Sequence, residues 1–113
     1  MTAQKLPHLY KISANAQNDS EVILTGDGIP NLVSAPPAQF GGPGDQWSPE
    51  DLLVGAVADC FILTFRAIAR ASRLEWIDIE CSAEGTLDRV EKVTQFTAFT
   101  IQAKLTVGAD IDV

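Results

Sequence analysis

The order of apolar and polar residues divides the 113-residue chain into three stretches. The first, residues 1–40, is polar and strand-like. "LPHLYKISA" alternates in part and sets Leu6, His8, Tyr10 and Ile12 on one face of a strand. "QNDS" is a turn cluster, "EVILT" a short β-rich run, and "GDG" a second turn. "IPNLVSAPP" predicts a third strand that stops at Pro36–Pro37, because proline has no N–H to donate to a ladder. Three strands and two tight turns predict an antiparallel meander.

The second stretch, residues 48–73, predicts a long central helix. "WSPED" places Ser48 at the N-cap, Pro49 at the first helical position, and Glu50 and Asp51 in the first turn. Proline there gives up no needed hydrogen bond, and the carboxylates complement the positive end of the helix dipole. The helix is expected to run from Pro49 to about Ser72. Its N-terminal half is apolar nearly all round, from Leu52, Leu53 and Val54 through Phe61, Ile62, Leu63 and Phe65. A helix without a polar face must be buried on more than one side. One small sheet covers one side, so a second helix is expected on the other, the same helix of a partner chain. Arg66, Arg70 and Arg73 fall in the later turns, where positive charge suits both the dipole and solvent.

The third stretch, residues 75–107, predicts a β-hairpin. In "WIDIECSAEGTLD", Ile77, Ile79, Cys81, Ala83 and Leu87 point one way, while Asp78, Glu80, Ser82 and Glu84 point the other. "RVEK" turns the chain and "VTQFTAFTIQAKLTV" returns as a long strand. The whole reads as one α+β domain of antiparallel strands around a long helix.

Composition narrows the function classes. Apolar residues are 46% and charged residues 20% of the chain, an ordinary globular balance. The net charge of −7 repels polyphosphate and anionic lipid, so neither nucleic acid nor a membrane is an expected partner. Asp59 interrupts the longest uncharged run, between Asp51 and Arg66, so no segment is expected to span a membrane. "MTAQKLPHLY" has no apolar core of a signal peptide, and two cysteines do not make a disulfide scaffold. Both features fit a reducing, cytoplasmic setting.

The candidate chemistry centres on "GAVADCFILTF". Cys60 is either core packing or a reactive thiol. It lies far from the positive end of the dipole, and Asp59 precedes it. Thr64, one turn on, can reach the sulfur. Cys81 falls on the inward face of its strand and reads as a small packing hydrophobe. Glu50 is either a helix-start residue or a carboxylate with a catalytic role. In one straight helix it lies about 15 Å from Cys60. Two antiparallel copies crossing near the small residues Gly55, Ala56 and Ala58 would bring Glu50 of one chain beside Cys60 of the other. His8, the sole histidine, reads as a strand-end residue, and no cluster has metal-ligand spacing. "QFGGPGDQ" reads as a flexible connection rather than a phosphate cradle, because no Gly-Lys-Ser/Thr follows it.

"GGPGDQWSPEDLLVGAVADCFILTF" resembles the OsmC/Ohr family of osmotically inducible and organic-hydroperoxide-resistance proteins. Gly41, Gly42, Gly44, Pro49, Glu50, Leu52, Leu53, Ala58, Cys60 and Phe61 carry the likeness, which extends over roughly residues 20–107. The resemblance implies an intertwined homodimer built on two central helices, and a thiol peroxidase that needs no cofactor. Cys60 matches the nucleophile that attacks an organic hydroperoxide. Glu50 matches the glutamate that orients a thiolate-stabilising arginine. A small dithiol or lipoyl-type molecule is the implied reductant. The family's second, resolving cysteine lies in a C-terminal helix beyond the last strand. This sequence stops at Val113 ahead of such a helix, so a C-terminally truncated form, or one without the recycling step, is expected. No arginine precedes Arg66, which leaves Lys11 as the strand-region cation. The alternative is a non-catalytic dimer of the same fold that binds a small apolar ligand.

Overall fold

A computed structural model describes residues 4–109. The chain divides at Pro49 and Glu50 into two compact units. The first contains the predicted meander: β1 (Ile12–Asn15), β2 (Val22–Gly26) and β3 (Ile29–Ser34), antiparallel and in that order. Its first strand is shorter than the alternation predicts. Ile12 pairs with Gly26, where β2 turns into β3, so no partner backbone remains for residues before Ile12. Leu6, Leu9 and Tyr10 lie exposed ahead of it. His8 is held locally: its Nε2–H donates to the Gln4 carbonyl at 2.9 Å, and the Tyr10 hydroxyl donates to Nδ1 at 3.4 Å.

After β3 the chain makes a 3-10 turn at Ala38–Phe40 and loops back to Trp47. The Ala35 N–H donates to the Trp47 carbonyl at 2.8 Å and closes the loop. Gly41 and Gly44 in this loop hold positive φ values, 85° and 80°, whereas Gly42 answers to packing. The Gly42 N–H donates to the Pro37 carbonyl at 2.9 Å, and a Cβ on residue 42 would stand only 1.6 Å from the Pro36 carbonyl oxygen. No side chain fits that approach.

The second unit contains α1 (Pro49–Ala71), β4 (Asp78–Val90) and β5 (Val93–Thr106). The helix ends one residue ahead of the expected Ser72. Arg73 turns left-handed at φ 58°, and the Leu74 N–H reaches back to the Ala69 carbonyl at 2.9 Å. That pairing is a Schellman closure with arginine where glycine is usual. Trp76 then sets its ring edge-on to Phe65, with centroids 5.3 Å apart.

The hairpin registers Ile79 on Leu105, Cys81 on Ala103, Ala83 on Ile101 and Gly85 on Phe99, which defines its inner face. Ile79, Cys81, Ala83, Gly85 and Leu87 are half-buried there, as the alternation predicts. Ile77 is not part of that face. It precedes β4 and is 67% exposed, because only its N–H, bonded to the Thr106 carbonyl at 2.8 Å, reaches the ladder. The register slips between Thr86 and Leu87, where Leu87 meets Phe96. Beyond the slip, Glu91 and Lys92 form a two-residue turn with both φ values positive.

Two expectations about the helix divide. Its N-terminal half is apolar nearly all round, and of the helix's described residues only Ala69 is buried, while Leu53, Phe61, Leu63 and Ile68 are exposed. The expectation that no segment could span a membrane is corrected. With a mean hydropathy of 1.9 over eighteen residues, α1 is long and apolar enough by length and composition. Isolated charges such as Asp59 do not lower that average enough to disqualify it.

Candidate functional site

Cys60 occupies the centre of α1, with eleven helical residues on each side from Pro49 to Ala71. It follows the small residues Gly55, Ala56 and Ala58, which leave its turn of helix thinly clad. The thiol is free and exposed. It opens into a groove of about 580 Å³ between α1 and β5. Phe61, Phe65 and Ile68 of the helix and Ile101 of the strand form much of its wall. Among the described residues, Cys60 and Thr64 are the only polar side chains that line it, and no charged residue does. The two stand one turn apart, with Sγ 3.8 Å from the Thr64 Oγ1, within reach of a sulfur hydrogen bond.

Glu50 lies in the first turn of the same helix and is half-buried. Its Oε1 is buried and has no hydrogen-bond partner among the described residues. A carboxylate oxygen so placed is costly, because water no longer solvates it and no donor replaces the water. Glu50 and Cys60 sit ten residues apart on one continuous helix, so a single chain does not bring them into contact.

The remaining sequence candidates lie elsewhere. Cys81 is a free, half-buried thiol opposite Ala103 on the inner face of the hairpin, which fits its packing role. Lys11 is exposed, just ahead of β1. His8 is engaged with Gln4 and Tyr10. Sequence reasoning does not find the groove walls Phe65, Ile68 and Ile101. The alternation of β5 carries a signal for Ile101, but which inner-face residue lies beside Cys60 depends on the hairpin register.

The sequence model of the OsmC-like protein family matches residues 42–112. The chain belongs to that family. The match takes in Glu50, Cys60 and the whole hairpin, and begins just after the 3-10 turn. Among curated proteins, the uncharacterized YmaD of Bacillus subtilis is 32% identical over 84 residues, 72% of this chain. The chain spans about half the length of that relative, 55% of it.

Solved OsmC structures have the same fold. An organic hydroperoxide resistance protein OsmC from Legionella pneumophila superposes with a TM-score of 0.73 at 26% identity. That superposition covers 90% of this chain and 74% of the Legionella one. An OsmC-like protein of unknown function from Vibrio cholerae superposes with a TM-score of 0.85 at 16% identity, over 95% of this chain and 80% of its own. The α+β architecture, antiparallel strands with one long helix, is thus the OsmC-like fold.

Proposed function

We propose that the chain is a thiol-dependent reductase of organic hydroperoxides, with Cys60 as the nucleophile. The observation that carries the reading is an exposed thiol on the wall of an apolar groove, at the centre of the long helix of an OsmC-like fold. The similarity to a Legionella protein named for organic hydroperoxide resistance supports it.

The chemistry asks little of the protein. The Cys60 thiolate attacks the terminal oxygen of R–O–O–H, an S–O bond forms, and the O–O bond breaks. Sulfur gives up two electrons and becomes a sulfenic acid, while the departing alkoxide takes a proton and leaves as an alcohol. Phe61, Phe65, Ile68 and Ile101 receive the organic tail, whose burial favours a bulky peroxide over hydrogen peroxide. A small dithiol or a lipoyl-type molecule returns the sulfenic acid to the thiol, which suits a reducing, cytoplasmic setting.

The working unit in this reading is a homodimer. The exposed apolar side chains of α1 and the orphaned Glu50 oxygen both call for a second surface. Antiparallel helices crossing near Gly55 set Glu50 of one copy beside the partner's Cys60. There Glu50 positions a cation for the thiolate.

The test is consumption of cumene hydroperoxide with dithiothreitol as reductant, with mass spectrometry of the Cys60 peptide. The expected result is turnover and a sulfenic acid on Cys60, both lost in Cys60→Ser. Equal consumption by the parent and by Cys60→Ser overturns the proposal. A second reading has its own support, since among the described residues no charged side chain lines the groove. In that reading the protein is a non-catalytic dimer that holds a small apolar ligand. Tight binding of an apolar fluorophore without peroxide consumption selects it.

A further inference from the structure

A thiolate in the groove of Cys60 needs a donor, and the surroundings of the sulfur offer few. The helix dipole gives nothing at this position. Its influence is confined to the first and last turns, and Cys60 is at the midpoint of a 23-residue helix. The backbone gives nothing either, because N–H groups at mid-helix are bound to carbonyls four residues back.

Charged side chains are on other faces. Asp59 is about 100° round the helix from Cys60, and Arg66, six residues on, projects from a different side. No ionisable side chain except Cys60 itself lines the groove from α1 or from β5. On the hairpin, Lys104 registers against Glu80 on the outer face, away from the residues that look toward the helix. One donor remains among the groove-lining side chains. It is the Thr64 hydroxyl, 3.8 Å from Sγ.

We infer that Thr64 is a positioning residue for the Cys60 thiolate, its hydroxyl donating a hydrogen bond to the sulfur. The inference rests on the proposed nucleophilic role of Cys60 and adds a group within the same chain that prepares the sulfur for it. An ionised sulfur can only accept, so the hydroxyl proton must face it. The same contact in the neutral state permits either direction, and the difference favours ionisation.

Stabilising a thiolate raises the fraction present at neutral pH and lowers the nucleophilicity of each thiolate by a smaller factor. A tenfold gain in the fraction costs about threefold in intrinsic reactivity, which leaves a net gain of about threefold. Removing the hydroxyl reverses both effects, so the direction of the change depends on pH.

The experiment is alkylation of the folded protein by iodoacetamide, followed peptide by peptide so that Cys60 is read separately from Cys81. In Thr64→Val the Cys60 rate is expected to fall about threefold at pH 7. At pH 10, where ordinary thiols are ionised, it is expected to rise by a similar factor. Thr64→Ser, which keeps the hydroxyl, should follow the parent at both pH values. Thr64→Ala repeats the loss without the branched bulk.

Crossing of the variant and parent profiles supports the inference. Coincident profiles overturn it, and so does a change of equal size and sign at both pH values, which a packing role alone produces. Peroxide consumption is measured on the same samples. A crossing profile in a protein that consumes no peroxide keeps Thr64 in its role and rejects the peroxidase reading.

Discussion

Val54 lies so close over Gly85 that a Cβ on residue 85 would stand 2.8 Å from its Cγ2 and 2.9 Å from a ring carbon of Phe96. The helix seats on the hairpin at this point because β4 offers no side chain there. Gly85→Ala must therefore push α1 and β4 apart or displace the Val54 and Phe96 side chains. The expected cost is about 1–3 kcal/mol. Urea denaturation followed by circular dichroism measures it. A variant as stable as the parent would mean that the seat is loose.

The loop glycine makes a sharper case. Residue 42 faces the Pro36 carbonyl oxygen, which is backbone and cannot swing aside. Gly42→Ala should disrupt the return of the chain from Pro36 to Trp47 and lower stability by about 2 kcal/mol or more. Two-dimensional NMR of the labelled variant should show shifts concentrated between Ala35 and Trp47.

The turn of the hairpin is open to improvement. Glu91 and Lys92 both hold positive φ values, 51° and 69°, in a two-residue connection between Val90 and Val93. Asn-Gly is the preferred pair for that backbone. Replacing Glu91-Lys92 by Asn-Gly should raise stability by about 1 kcal/mol, the order of the left-handed cost for side chains that carry a Cβ. A higher denaturation midpoint at an unchanged slope is the expected readout.

Trp76 reports on the end of the helix. Its ring meets Phe65 edge-on at 5.3 Å. Phe65→Ala should shift the tryptophan emission to the red and cost about 2 kcal/mol, from lost apolar burial and the aromatic contact. Phe65 also lines the groove, so the same variant should weaken binding of an apolar fluorophore there.

The homodimer reading has a direct consequence for stability. A protein that folds as a dimer has a melting temperature that rises with its concentration. Light scattering should give twice the 12.1 kDa of the single chain. Leu63, 52% exposed on α1, is a suitable place to weaken the pairing. Leu63→Glu should shift the protein toward monomer or aggregate, because it sets a charge where a second helix is expected to pack. An unchanged dimer would remove this face from the interface.

Read residue by residue, the chain alone determined the elements whose signals are local. Pro49, Glu50 and Asp51 mark a helix start whatever surrounds them, because the dipole and the missing proline N–H are properties of the helix itself. The alternation from Ile79 to Leu87 announces a half-buried strand because its period of two is a property of the pleat. Cys60 was visible as a candidate thiol, and Thr64 as a neighbour one turn away.

Tertiary structure decided what depends on which backbone lies opposite. Leu6, His8 and Tyr10 alternate as a strand does, yet pairing stops at Ile12 because β2 has turned away at Gly26. The glycines at 42 and 85 read as loop and strand residues until the Pro36 carbonyl and Val54 are set against them. Above all, spacing along α1 says which residues share a face with Cys60 but not whether that face is covered. The register of β5 and the seat of the helix on the hairpin leave it open beside Ile101. A side chain's chemistry belongs to its residue, whereas its exposure is set by distant parts of the chain.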